Sequence, residues 1–334
     1  MHEYIRKILT ARVYDVAIES PLDRMPRLSG RLGCPVLLKR EDLQPVFSFK
    51  LRGAYNKIVS LPPEILKRGV ICASAGNHAQ GVALAAQKLG VMAVIVMPRT
   101  APAIKVQAVK SRGGRVVLHG DTFDETYTHA RALEVEKGLA FIHPYDDPEV
   151  IAGQGTIGME ILRQHPDPIE AVFVPIGGGG LAAGVGVFLK FLRPEIKVIG
   201  VEPDDAASMG AALAAGERVA LDQVGIFADG VAVRQAGAET FRICREVLDE
   251  VITVDTDEIC AGIKDIFDDT RAIAEPSGAV SLAGLKKYAE RRASRDRSLI
   301  AINSGANLNF DRLRHIADRA GIGVPRGGLL AAAD

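Results

Sequence analysis

Along most of the chain, short β-branched and apolar runs alternate with stretches whose apolar residues recur at helical spacing, the rhythm of parallel strands covered by helices. A first series predicts strands at 70–72, 91–97, 115–118 and 139–142, with helices at 77–89, 103–111 and 122–137 between them. Gly90, Gly113 and Gly138 stand where those helices should stop. A second series begins after Pro144 and Pro148 with a helix over 149–164. It predicts strands at 171–176, 197–201, 251–254 and 298–302, and helices at 181–191, 206–214, 240–246, 256–270, 278–291 and 310–320.

The N-terminal residues fit neither series as a strand–helix unit, although 36–40 reads as a further strand and the chain opens on an amphipathic helix pattern. They are assigned to the second series, so the smaller unit is an insertion in the larger. The fold class is α/β, with two three-layer αβα domains: 1–46 with 146–321, and 47–145. An Ala/Gly-rich tail over 322–334 is expected to fray.

Composition narrows the partners. The 334 residues carry 41 Lys+Arg and 41 Asp+Glu, so no long-range field favours nucleic acid or an anionic membrane. No apolar run reaches membrane-spanning length. Cys34, Cys72, Cys244 and Cys260 lack disulfide or zinc spacing and read as core thiols of a reducing compartment. With no leader pattern at Met1-His2-Glu3, a cytoplasmic protein acting on a small molecule is expected.

Four segments carry candidate chemistry. Gly177-Gly178-Gly179-Gly180-Leu181 follows a predicted strand and opens a helix, so bare amides at a positive helix end offer an anion cradle suited to phosphate. Gly177, Gly179 and Ala182 also fit a dinucleotide fingerprint, with Glu202 placed as a ribose-binding acid, which keeps a nicotinamide oxidoreductase open. In Ser48-Phe49-Lys50-Leu51-Arg52-Gly53-Ala54 a lysine enters a helix beside apolar neighbours, where burial helps an amine shed its proton and attack a carbonyl cofactor. Ser74-Ala75-Gly76-Asn77-His78 lies at another strand-to-helix junction and suits a substrate carboxylate, or is an ordinary cap by Ser74 or Asn77. His78 reads as a structural hydrogen-bonding residue. Ser304, in Asn303-Ser304-Gly305-Ala306-Asn307 after the last strand, places a hydroxyl where a pyridine nitrogen could meet it.

Together, in this order and spacing, these segments resemble the threonine dehydratase (threonine deaminase) family over about residues 14–320. The resemblance implies the tryptophan-synthase-β-like fold and pyridoxal 5'-phosphate as cofactor. It implies that Lys50 anchors the cofactor and acts as catalytic base, with Phe49 against the ring and Asn77 on the ring hydroxyl. Gly177, Gly178, Gly179, Gly180 and Leu181 would hold the phosphate, Gly230 would pass close to the ring, and Ser304 would face its nitrogen. Ser74, Ala75, Gly76, Asn77 and His78 would receive the substrate carboxylate. The implied reaction converts L-threonine to 2-oxobutanoate and ammonia, with L-serine giving pyruvate more weakly. A serine racemase or 3-hydroxyaspartate dehydratase of the same fold is the alternative. Where related racemases carry a second hydroxyl this chain has Ala75, which disfavours racemisation. Where some relatives bind a divalent cation it has Glu202, Ala206 and Ser208, one acid short, so no metal is expected. The resemblance also implies a homodimer or homotetramer, and the end at Asp334 leads one to expect no isoleucine-sensing domain.

Overall fold

The computed structural model describes residues 1–292 and 296–321, so the tail read as frayed lies outside the described residues. Its strands are β1 (Leu22–Arg24), β2 (Val36–Arg40), β3 (Val70–Ala73), β4 (Ala93–Met97), β5 (Arg115–Leu118), β6 (Ala140–Phe141), β7 (Ile169–Pro175), β8 (Lys197–Pro203), β9 (Glu250–Val254) and β10 (Ser298–Asn303). They form a six-stranded sheet in the order β1-β2-β10-β7-β8-β9 and a four-stranded sheet in the order β5-β4-β3-β6. β1 pairs antiparallel with β2; the other pairings are parallel. The smaller sheet uses the chain between β2 and β7, while the larger takes strands from both sides of it. The α/β architecture with an inserted smaller layer is thus the one the alternation predicts.

The central strands are buried along their whole length, β2, β4 and β10 among them, as expected where helices cover both faces of a parallel sheet. The helices Asn77–Leu89 and Phe123–Lys137 end on Gly90 and Gly138 in the left-handed conformation. Gly113 also has a positive φ. The four cysteines are buried and unpaired. In the elements that were read, differences lie at their ends. Val91 lies outside β4, and the strand read over 139–142 contracts to two paired residues. The helix read from 206 begins at Ser208 after a short 3-10 turn, and the one read from 310 begins at Arg312. The antiparallel β1 and the helix Pro26–Leu32 were not read at all.

Helix packing sets the positions of the candidate segments. Lys50–Val59 and Gly180–Leu192 both lie on the long helix Pro148–Gln164. Contact is close enough that a Cβ on Gly153 would come within 2.7 Å of the Gly53 Cα, and one on Gly184 within 2.3 Å of the Ile151 carbonyl oxygen. Glycines therefore let the three backbones approach, and the starts of the outer two helices are fixed against one shared support. Beside the Gly53 contact sits a fully buried ion network. Arg52 donates to Glu41 through Nε and Nη2 at 2.8 Å each and to Glu160 through Nη1 at 2.6 Å and Nη2 at 3.0 Å. Lys39 meets the same Glu160 at 2.6 Å.

Two carboxylates answer two cations there, so removing one cation strands a charge in the interior. Breaking a buried pair in this way costs about 3–5 kcal/mol. Arg52→Met should lower unfolding stability by about that amount in urea titration, and a loss under about 1 kcal/mol would show that the network does not support the helix.

Candidate active site

Lys50 is the first residue of its helix, and Phe49, before it, is buried. The segment leading to it runs antiparallel to the loop after β10. Ser48 bridges Gly305, Phe49 N–H donates to Ser304 O at 3.3 Å, and Ala306 N–H donates to Phe47 O at 2.9 Å. Phe47 itself is left-handed, with φ of 55°, a costly conformation for an aromatic residue that these contacts hold in place. The lysine and Ser304 segments, about 250 residues apart in sequence, are thus zipped together.

The half-buried Lys50 side chain ends in an amine that donates to Pro144 O at 3.0 Å. Burial lowers its pKa to about 8, opposed by the carboxyl of Glu275. Pro144 leads into Tyr145, whose ring lies against the glycine loop. A Cβ on Gly178 would fall 2.3 Å from that ring, and one on Gly180 would fall 2.9 Å from Tyr145 O. Residues 144 and 145 therefore bridge the amine and the loop.

The loop is held from behind. Gly178 O accepts from Thr240 Oγ1 at 2.6 Å, and Gly179 adopts φ of 94°, where a side chain would be strained. Gly179 is the N-cap of Gly180–Leu192, and no side chain caps that helix. Among the described residues the amides of Gly177, Gly178 and Gly179 donate no hydrogen bond within the protein. Free amides at the positive end of a helix fit a phosphate.

The Ser74–His78 segment follows β3. Neither Ser74 nor Asn77 caps the helix Asn77–Leu89; Gly76 occupies the cap position, and Ser74 Oγ accepts from Gly76 N–H at 3.2 Å. The start of this helix is also left open to an anion. A Cβ on Gly81 would come within 3.0 Å of the Lys50 backbone, so the helix crosses directly over the lysine. His78 is buried, its Nε2 donates to Ile142 O at 2.8 Å, and its Nδ1 has no partner. Burial first, then the nearby Lys50, holds its pKa down to about 3, so it stays neutral. That agrees with the structural reading of the residue. His143 is likewise depressed to about 4, chiefly by burial.

Asn77 donates through Nδ2 to Glu275 Oε1 at 2.5 Å. Gly230 is at the same place: a Cβ there would meet Ser277 Oγ at 2.5 Å and Asn77 Nδ2 at 3.8 Å. Ser304 is buried and donates from Oγ to Ser277 O at 3.2 Å. The predicted residues are therefore gathered around one locus, with Ser48 Oγ buried and unpartnered at its edge. Sequence reading missed Glu275 and Tyr145, and named Asn307 within its segment without the hydrogen bond it donates to Asn77 Oδ1 at 2.6 Å. The only local signal for Glu275 was its position before Pro276 at a helix start.

Glu202 has a structural role in this fold. Its Oε1 and Oε2 accept from Met209 N–H and Gly210 N–H at 2.8 Å each, so it closes the start of the helix Ser208–Ala215. Among the described residues no group of three His, Cys, Asp or Glu side chains is placed to hold a metal, and no helix is long and apolar enough to cross a membrane.

The family model for pyridoxal-phosphate dependent enzymes matches residues 13–305. The chain is 59% identical to the biosynthetic L-threonine dehydratase of Burkholderia multivorans over 99% of its own length and 66% of that protein. It is 57% identical to the chloroplastic biosynthetic threonine dehydratase of Arabidopsis thaliana over 98% of its length and 56% of that protein. The chain thus spans two thirds or less of these curated relatives. The processed form of threonine deaminase isoform 2 from Solanum lycopersicum superposes with a TM-score of 0.94 at 54% identity, covering 96% of this chain and 93% of that one. A lysine amine linked through residues 144 and 145 to a loop of uncapped glycine amides fits such a cofactor, and with these matches the chain belongs to the pyridoxal-phosphate dependent enzyme family, alongside its threonine dehydratases.

Proposed function

We propose that this site dehydrates and deaminates L-threonine to 2-oxobutanoate and ammonia, and converts L-serine to pyruvate more weakly. The observation that carries the reading is the Lys50 amine on Pro144 O, with the next residue, Tyr145, packed on the loop of free glycine amides; burial holds that amine down to about 8. Pyridoxal phosphate, when bound, supplies a sink for the electron pair left on the substrate α-carbon. Gly177 to Leu181 would hold its phosphate through their amides, Phe49 and Gly230 would lie beside its ring, and Asn77 and Ser304 would offer their polar groups to it. The open helix start at Ser74–His78 receives the substrate carboxylate and orients the α-hydrogen. Lys50 would carry the cofactor, and its amine, held down to about 8 by burial, is the group placed to take the α-proton near neutral pH.

Ser304 is neutral. A carboxylate in its place would hold a ring nitrogen protonated, whereas a hydroxyl does not, and this favours prompt loss of the β-hydroxyl over side reactions. We read residues 47–145 as the small domain and 1–46 with 146–321 as the large one, and expect a cytoplasmic homodimer or homotetramer. The similarity to biosynthetic dehydratases supports a place at the entry to isoleucine synthesis.

Incubating the protein with the cofactor, reducing with borohydride and mapping peptides should locate the adduct on Lys50; an adduct elsewhere, or none, overturns the assignment. Lys50→Ala should lose the adduct and at least ~10²–10⁴-fold in 2-oxo acid production. Because only the neutral amine accepts a proton, kcat should rise as pH is raised toward about 8, and a flat profile through neutrality would exclude Lys50 as the base. Ser304→Asp should raise the share of transamination products relative to 2-oxobutanoate, measured by chromatography of the products; an unchanged ratio would rule out the role given to the hydroxyl.

A further inference from the structure

Asn77 is one member of a chain of side-chain amides whose direction is fixed by a backbone group. Asn307 Nδ2 donates to Val46 O at 2.9 Å and to Asn77 Oδ1 at 2.6 Å. A peptide carbonyl only accepts, so the group Asn307 turns toward it must be its NH₂. That NH₂ also faces Asn77, which must answer with its own carbonyl oxygen. Asn77 Nδ2 is then left pointing to Glu275 Oε1, at 2.5 Å. Each orientation follows from the one before it, and the sequence runs Val46 carbonyl, Asn307, Asn77, Glu275.

Glu275 closes the chain from a buried position, 3% exposed. Its backbone N–H donates to Gly305 O at 3.1 Å, which ties it to the loop that carries Asn307. The carboxyl oxygen facing Asn77 acts as an acceptor whichever protonation state the group is in, because the proton has a second oxygen to occupy. Burial first, then the nearby Asp229, pushes the carboxyl up to about 7, against the lowering effect of the hydrogen bond from Asn77.

We propose that Glu275 and Asn307 are positioning residues that lock the Asn77 carboxamide with its NH₂ toward Glu275, so that its second N–H is offered to the cofactor as a donor. Resting as it does on the proposed role of Asn77 at the ring oxygen, the inference adds what sets the polarity of that contact. A carboxamide free to turn over would present its oxygen to the ring oxygen half of the time and repel it. The two flanking residues remove that alternative and favour retention of the cofactor.

The test is cofactor retention in the holoenzyme, read from the visible absorbance of bound pyridoxal phosphate during dilution, with borohydride trapping at Lys50 as the control. Glu275→Gln keeps an acceptor oxygen and should bind within about threefold of the parent protein, whereas Glu275→Leu removes it and should release the cofactor about tenfold more readily. Asn307→Asp, isosteric but reversed in polarity at neutral pH, should also lose about tenfold and shift the visible band, with its far-UV circular dichroism unchanged. Asn307→Leu provides the second reading if the aspartate variant does not fold. Retention by Asn307→Asp equal to the parent, or equal losses in Glu275→Gln and Glu275→Leu, would overturn the polarity lock. Absence of a Lys50 adduct in the parent protein would instead sink the functional reading beneath it.

Discussion

Arg52 has no access to solvent, and each nitrogen of its guanidinium is answered by a carboxylate, a hydroxyl or a backbone oxygen. The cost of burying such a cation is offset only when geometry and neutralisation are both complete. Glu41, at the end of β2, and Glu160, on the helix Pro148–Gln164, supply the charges, while Ser20 and Tyr14 from the N-terminal region satisfy further carboxylate lone pairs. Three distant parts of the chain are thereby referred to one planar fork. Since Lys50 is two residues earlier on the same short helix, the fork also fixes the rotation of that helix, and with it the direction in which the lysine leaves the backbone. A helix turns about 100° per residue, so a slip of one position would carry the amine out of the site altogether.

What surrounds the amine is chemically consistent. Lys50, His78 and His143 are all held below their ordinary pKa values, with burial as the first cause in each. The helix starts at Gly180 and Asn77 add positive potential from amides that no side chain caps. Such a place is unfavourable for another cation and favourable for an anion with several negative oxygens. The helix starts suit the anion, and burial, the first cause of the Lys50 shift, keeps the amine a usable base, so the two demands on the site are met by separate features of one locus. The carboxyl of Glu275 acts in the opposite sense and limits how far the amine is depressed.

Much of this was legible in the chain because the signals are local. Alternating apolar runs and glycine stops located most strands and helices of both sheets to within a few residues at their ends; the glycine loop and the Ser74–His78 junction each had a recognisable entry from strand to helix, and Lys50 a recognisable helix start. The relations among them were not legible. Asn77, Glu275 and Asn307 meet across about 200 residues or more of sequence, and no period or spacing encodes a hydrogen bond between them. Nothing in the sequence singled out Arg52 and Glu160, since a charge that is buried and paired reads the same in sequence as one that is solvated. β1 went unread because three residues with one charge at each of the last two positions give too short an alternation to distinguish from a turn.

Glu202 and Glu275 show why the distinction between a structural and a functional carboxylate lies in the partner and not in the perturbation. Both are buried and both are pushed up to about 7, chiefly by desolvation. Glu202 accepts from two backbone amides of a helix start, donors that exist only to continue that helix, and its oxygens are consumed in closing it. Glu275 accepts from a side-chain amide that keeps another hydrogen free, beside a glycine that leaves the neighbouring space open. A carboxylate that terminates an element stabilises the fold and goes no further, whereas one that orients a group with capacity to spare transmits its position into the site. By that criterion Glu202 is a structural carboxylate, whereas Glu275, which had no strong local signal in the sequence, orients a side chain of the candidate site.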